Sequence, residues 1–376
     1  MRLLATMSVF LWASMTVSAA TPDYERSPAL TAAAAASSVL LDITQAGDKL
    51  LAVGERGLII YSDDGRSWTQ AQVPLSETLT AVSFASAEQG WAVGHGGTIL
   101  HSSDGGKSWQ LQFDGDQANQ QWLSYTKARQ AALDTQIENL EQTSSGEDSD
   151  LLSDLRIEAE DAGFAVEDAE LAVTTGPADP FLDIWFGDVN NGIAVGAYGM
   201  IYRTDNGGKD WKLAAAGIKN SYRYHYYSLT ADTAGRLFLS GEAGLMYRSL
   251  DGGKQWQLLG PFYDGSLFGV LSHGDEILSY GLRGNVFRSS DGGDSWQTLN
   301  EDIPFSLYGG STLSNGNIVL VGSAGGIAIS EDGGDTFTTQ DHPSRSSFSA
   351  VTGDASNAIY VVGMSGVVSI IKREAP

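Results

Sequence analysis

The stretch VGHGGTILHSSDGGKSW, residues 93–109, decides the fold because the chain repeats it. Its second half recurs as YSDDGRSW (61–68), HSSDGGKSW (101–109), RTDNGGKDW (203–211), RSLDGGKQW (248–256), RSSDGGDSW (288–296) and ISEDGGDTF (329–337). Its first half, a glycine pair, recurs as GERG (54–57), GHGG (94–97), GAYG (196–199), GEAG (241–244), GLRG (281–284), GSAG (322–325) and GMSG (363–366). The second glycines follow one another at 40, 102, 45, 40, 41 and 41 residues. A period of about forty residues with one long interruption marks a repeat architecture rather than a set of similar turns.

Within one unit, LTAVSFA (79–85), WAVG (91–94), TILHS (98–102) and SWQLQF (108–113) read as four short strands bounded by turn residues. Four strands per forty residues make a propeller blade, so the expected fold is all-β, a seven-bladed β-propeller of four-stranded blades. The glycine pair permits the positive φ of a tight hairpin between second and third strands. In the aspartate motif the carboxylate can accept backbone N–H groups across the turn, and the closing Trp packs between blades. Phe337 replaces that Trp in the last copy, and the first copy, one residue short, leaves Asp63 or Asp64 as its carboxylate. The seventh unit reaches Pro376 before its aspartate motif. Its outer strand is therefore expected from the segment near Pro28 to Ala33, placed just ahead of blade 1 to complete the last sheet and close the ring.

Composition agrees with many short strands: 45 glycines and 10 % aromatic residues in 376. A net charge of −24 argues against nucleic acid, whose binding rests on neutralising phosphates. The chain has no cysteine, which excludes disulfides and thiolate metal sites, and its five histidines are scattered, so neither a metal nor a cofactor is expected. Arg2, the apolar run LLATMSVFLWASMTV and the small residues VSAA have the layout of a secretory signal cleaved after Ala19 or Ala20. That run is shorter than the ~20 residues of a membrane span. The mature chain is expected to be monomeric and soluble, without a transmembrane segment, in the periplasm or secreted.

Residues 116–176 break the β pattern. They hold fourteen carboxylates against Lys127, Arg129 and Arg156, a net −11. Trp122, Tyr125, Leu133, Ile137 and Leu140 line one stretch, and Leu155, Ala159, Ala162, Val166, Ala169 and Val173 keep 4,3 spacing. This predicts an inserted α-helical hairpin between blades two and three, bent at TSSGEDSD (143–150). The chain thus divides into a signal peptide (1–20), blades 1–2 with the closing strand (21–115), the hairpin (116–176) and blades 3–7 (177–376).

The combined motif of residues 93–109 resembles the BNR or Asp-box repeat. Seven units at this period after a secretion signal resemble the photosystem II stability and assembly factor family, from residue 38 to 370 apart from the hairpin. That resemblance implies a non-catalytic, lumenal or periplasmic propeller that helps a membrane protein complex assemble, with a photosystem as the namesake partner and a bacterial envelope complex or transporter as the other case. The chain lacks the cysteine through which cyanobacterial relatives are lipid-anchored, and the hairpin has no counterpart in the simple repeat.

In a propeller the inter-blade loops and the glycine-pair turns open on one face, around the channel mouth, with the aspartate motifs opposite. Partner-binding candidates are therefore Arg56, His95, Tyr198, Glu242 and Arg283 from the turns, and Arg223, His225 and Arg345 from the loops, with Glu55, Asp179, Tyr224 and Asp264 beside them. The four arginines could clamp carboxylates or a phosphate, or be solvated charge. The run YRYHYY (222–227) reads first as the inner strand of blade 4, and second as a ligand platform. The acidic hairpin is either an arm for a partner or a decoration. No catalytic residue is assigned. The alternative function is an Asp-box glycoside hydrolase of sialidase type, which would need two carboxyl groups flanking the scissile bond.

Overall fold

The computed structural model describes residues 27–370 apart from 33, 144–148, 178 and 300–302, so the segment expected to be a secretion signal, 1–20, lies outside the described residues. Seven antiparallel sheets follow one another along the chain, and their inner strands neighbour one another in a closed ring. Blade 2 shows the pattern: Leu79–Phe84 innermost, then Gly90–Gly94, Thr98–Ser102 and Gln110–Phe113. The second strand of the blade is buried along its whole length, because neighbouring blades cover both of its faces. Outer strands are short and half open to solvent, as in Thr69–Gln70 of blade 1.

The core is partitioned by seam. Seven apolar clusters fill the seven gaps between successive blades. Between blades 1 and 2, for example, Leu51, Val53, Leu79, Val82 and Trp109 meet. Each aspartate motif works as the sequence suggests. Ser102 Oγ accepts the Gly106 N–H at 2.9 Å and donates to Asp104, whose Oδ1 accepts the N–H groups of Lys107 and Ser108 at 3.0 Å each. In the first copy the carboxylate is Asp64, and in the third Asn206 takes the role. Gly106 sits at φ +82°, and a Cβ there would lie 2.0 Å from Leu51 Cδ2, so the motif of blade 2 can receive the side chain of blade 1 only as glycine. Trp109 closes the turn, donating its indole N–H to Gly106 O at 3.0 Å.

The last blade departs from expectation. Among the described residues it has three strands, Phe348–Gly353, Ile359–Gly363 and Gly366–Ile370. Residues 28–32, expected to supply a fourth, lie instead along the outside of blade 1. Ala29 N–H bonds Val73 O at 3.2 Å, and Gln70 bonds Ala32 N and Leu30 O. The following alanines form a 3-10 turn, Ala35–Ser37, that tucks Ala35 and Ala36 into the seam between blades 7 and 1. Alanine is a weak strand former and a good filler of tight gaps, which is why this stretch turns inward rather than pairing at an edge. The ring is closed by side chains: Leu40, Ile43, Leu50, Ile60, Tyr360 and Val362 pack across that seam, and Ser349 Oγ donates to Leu40 O at 2.9 Å.

Six of the seven inner strands carry a β-bulge near their start, as at Leu40/Asp42 and at the pairing of Phe181 and Asp183. The extra residue turns a side chain toward the next blade.

The interruption is a hairpin of α1 (Gly115–Thr143) and α2 (Ser149–Thr175). Ala162 and Ala169, from the predicted stripe, are buried where α2 meets α1. Both ends leave the ring at one pinched neck. Gly97 N–H bonds Asp179 O at 3.0 Å, a Cβ on Gly97 would lie 2.7 Å from Gly115 Cα, and one on Gly115 would collide with Pro177 Cβ.

Candidate partner-binding site

The mouth face is defined by one repeated hydrogen bond. The first N–H of each glycine-pair turn reaches the carbonyl just before the inner strand of its own blade: Glu55 to Val39, His95 to Thr78, Ala197 to Pro180, Glu242 to His225 and Met364 to Ser347. Turns and inter-blade loops therefore share a face, and the aspartate motifs stand at the other ends of the strands.

Arg56, Tyr198 and Arg283 occupy the second position of their turns at φ +56°, +53° and +62°. Arg223 and Arg345, in inter-blade loops, also have positive φ, +53° and +54°. Left-handed backbone is uncommon for bulky residues and is held against a cost of about 1 kcal/mol or more, which glycine would avoid. Ala243 and Ala324 take the same conformation in their turns, at φ +52° and +56°, so at this position it belongs to the repeated turn, which sets the direction in which Arg56, Tyr198 and Arg283 leave the mouth face.

The eight candidates do not form one cluster. Arg56, His95 and Arg283 are exposed on separate turns of blades 1, 2 and 5, and Arg345 is paired with Asp341 at 3.3 Å. Tyr198, Arg223, His225 and Glu242, from blades 3 and 4, do come together. His225 Nδ1 accepts the Tyr198 N–H at 2.8 Å, which places its own proton on Nε2, 4.0 Å from Glu242 Oε2. The Tyr198 and His225 rings meet edge to face at 4.8 Å, and Glu242 accepts the His225 backbone N–H at 3.1 Å. Burial raises the Asp179 carboxyl above the ordinary range, against the opposing pull of Arg223 and His225.

What the sequence did not reveal is that the hairpin completes this cluster. α1 lies on blade 3: the Tyr202 hydroxyl donates to Ala118 O at 3.0 Å, and Gln121 bridges the Trp211 carbonyl and the Leu213 N–H, each at 2.8 Å. That docking carries Trp122 over the mouth, where the Arg223 guanidinium stands 5.5 Å from its ring and 5.7 Å from that of Tyr198. Arg223 Nη1 is 3.8 Å from Asp168 on α2, while its Nε is buried with no hydrogen-bond partner. Beyond it opens a cleft of about 750 Å³ walled by Trp122, Tyr125 and Arg129 of α1, Asp161, Phe164 and Asp168 of α2, and the 215–221 loop with Trp256 of the ring. An aromatic wall with a half-satisfied guanidinium suits a ligand that offers an apolar side chain and an acidic group.

The run YRYHYY divides between its two readings. The inner strand of blade 4 begins at Tyr226, which is fully buried, whereas Tyr222 to His225 form the loop at the mouth, with Tyr222 81 % exposed. Asn220 fixes this loop by bonding both the N–H and the carbonyl of Tyr224. Among the described residues no three His, Asp or Glu side chains converge to hold a metal ion, and no helix is long and apolar enough to cross a membrane.

Seven blades, repeated aspartate motifs on the far face and a cleft at the mouth define a BNR-type β-propeller. The chain belongs to the Photosynthesis system II assembly factor YCF48 family, whose model matches residues 60–127 and 167–303, more than half of its length. The break in that match falls on the outer part of the hairpin. No curated protein matches the sequence. Similar solved structures include one described as YCF48 bound to D1 peptide, with TM-score 0.60 and 16 % identity over 90 % of this chain and 94 % of that one. YCF48 from Cyanidioschyzon merolae follows at 0.58 and 16 %, over 90 % and 96 %. The WD40 β-propeller domain of Doa1 aligns at 0.59 and 13 %, over 93 % and 97 %. At such identities these structures speak for the fold.

Proposed function

We propose that the protein is a non-catalytic scaffold, exported to the periplasm by residues 1–20, that holds a segment of a membrane protein in its mouth-face cleft while an envelope complex is assembled. Family membership supports the assembly role, and the D1 peptide bound to a YCF48 structure supports a peptide segment as cargo. The observation that carries the proposal is Arg223, held at positive φ against Trp122 and Tyr198 with a buried, unpartnered Nε. A bound peptide carboxylate would satisfy that nitrogen, and an apolar neighbour would lie on Trp122 and Tyr125. The glycosidase alternative needs two carboxyl groups flanking a scissile bond; the engagement of Asp168 with Arg223 and of Glu242 with the His225 N–H favours the scaffold reading for these two acids.

The test is recovery of membrane proteins from the native envelope by the tagged mature chain. Arg223→Ala and Trp122→Ala should each lose the partner that the wild type recovers, while Arg345→Ala keeps it. Equal recovery by Arg223→Ala would remove the cleft from the function.

A further inference from the structure

α2 has two apolar stripes. One packs on α1 through Ala162 and Ala169, each 1 % exposed. The other consists of Ile157, Phe164 and Leu171, spaced by seven residues and 58 %, 58 % and 60 % exposed. Residues seven apart fall on one line of a helix, within about 20° per heptad, so these three form a continuous apolar seam turned away from α1. Both borders of the seam are acidic in the same register. Asp154, Asp161 and Asp168 run along one side, and Glu160 and Glu167 along the other, all exposed. α2 carries eight carboxylates and a single arginine, Arg156, which is spent on Glu141 of α1 at 2.7 Å. Phe164 also forms part of the cleft wall, so the seam is continuous with the binding site.

We infer that this seam docks a basic amphipathic helix of the partner protein, which would lie along α2 as a third helix on the hairpin. The inference rests on the scaffold role proposed above and specifies a second element of the same partner. An apolar heptad line wants a helix with its own heptad line, and charges beside such a seam select the partner by complementarity. Acidic borders on both sides ask for Lys or Arg at the facing positions. The same borders repel a second copy of α2, which would bring carboxylate against carboxylate along both edges, and they repel an anionic lipid surface.

The probe is a synthetic helix of roughly four heptads with Leu at the seam positions and Lys at the flanking positions, set against the same peptide with Glu in place of Lys. Binding to the full mature chain is read by fluorescence anisotropy at low and moderate salt. The Lys peptide should bind, more weakly as salt rises, and the Glu peptide should not. The triple variant Ile157→Gln, Phe164→Gln, Leu171→Gln should bind the Lys peptide at least about tenfold more weakly with an unchanged melting temperature, because all three side chains are already in solvent. Arg223→Ala should leave peptide affinity unaltered, which separates the seam from the cleft. The inference is overturned if neither peptide binds, if both bind alike, or if the triple variant binds as the wild type does. A wild-type dimer or wild-type binding to phosphatidylglycerol vesicles that the triple variant abolishes would overturn it too, by assigning the seam to another occupant.

Discussion

The carboxylate of Asp42, on the inner strand of blade 1, accepts the N–H of Val82 on the inner strand of blade 2 at 2.8 Å, while its other oxygen accepts the N–H of Ile43. Two blades on, Asp183 repeats the arrangement with Leu229 at 2.7 Å and Ile184. Each acid clips its blade to the next at the wall of the channel. Both keep some surface. Burial pushes Asp42 up to about 6 and Asp183 to about 7, the hydrogen bonds pulling the other way and the charge of Asp42 adding to the rise at Asp183.

These two acids should make the ring more stable in mild acid. A carboxyl whose pKa is higher in the folded state binds more protons folded than unfolded, so its contribution grows as pH falls from about 7.5 toward about 5 and is complete near 4. His101, which burial holds below its ordinary value, works against this below about 6.5. The aspartate-motif acids act lower still: Asp291, held near 2 by the Ser295 hydroxyl and N–H, gives up its stabilisation only as pH falls below about 4. The wild type minus the Asp42→Asn/Asp183→Asn double variant isolates the channel acids. That difference in melting temperature, followed from pH 8 to 5, should shift by several degrees in favour of the wild type. A flat difference would show that these carboxyls titrate normally.

Asp104→Ala should lower stability by about 1–3 kcal/mol without altering partner affinity, since four N–H or O–H donors in the turn lose their acceptor on the face away from the mouth. Gly106→Ala should cost more than Asp104→Ala, because it strains a φ of +82° and drives a methyl group into Leu51. Chemical denaturation of the two variants ranks them.

Tyr198→Ala should weaken partner binding while leaving the melting temperature close to wild type, because its ring is half exposed and it flanks Arg223 together with Trp122. Loss of a stacking face for a guanidinium is worth about 0.5–2 kcal/mol, a several-fold change in affinity. Titration calorimetry with the recovered partner segment provides the measurement.

Replacing residues 117–176 with a short Gly-Ser linker should leave a folded ring, because the neck already brings the two ends of the insertion together and loop length costs little. A modest fall in melting temperature is expected, since Tyr202 and Leu213 lose the hydrogen bonds that α1 supplies. Partner recovery should be lost with Trp122, Asp168 and the cleft. Circular dichroism and envelope pull-down on one preparation read both outcomes.

The propeller was legible in the sequence because six blades write the same two turns and the seventh writes one of them, and the aspartate motif is local: Ser102, Asp104 and Gly106 complete their bonding within residues 102–108. The hairpin was legible from its 4,3 stripe. The path of residues 28–32 was not, since the choice between the edges of blades 7 and 1 depends on Gln70 and Val73, some forty residues away. The site was half legible. Turn geometry placed Tyr198, Arg223, His225 and Glu242 on one face, but Trp122 and Asp168 reach them only through the docking of α1 on Tyr202 and Leu213. Periodicity could register Trp122 only as one more apolar residue of a helix. Its position over Arg223 is a tertiary fact.

The neck at Gly97, Gly115, Pro177 and Asp179 has a consequence for inheritance. Seen from the ring, some sixty residues occupy no more room than an ordinary turn. Such an insertion can change its outer length without rewriting a single strand, and the family match, which runs into α1 as far as residue 127 and resumes in α2 at 167, breaks within the arm and not at the neck. The roots of both helices, which carry Trp122 and Asp168 to Arg223, fall inside the matched residues, so the contact with the ring belongs to the family's pattern and only the outer arm stands apart from it.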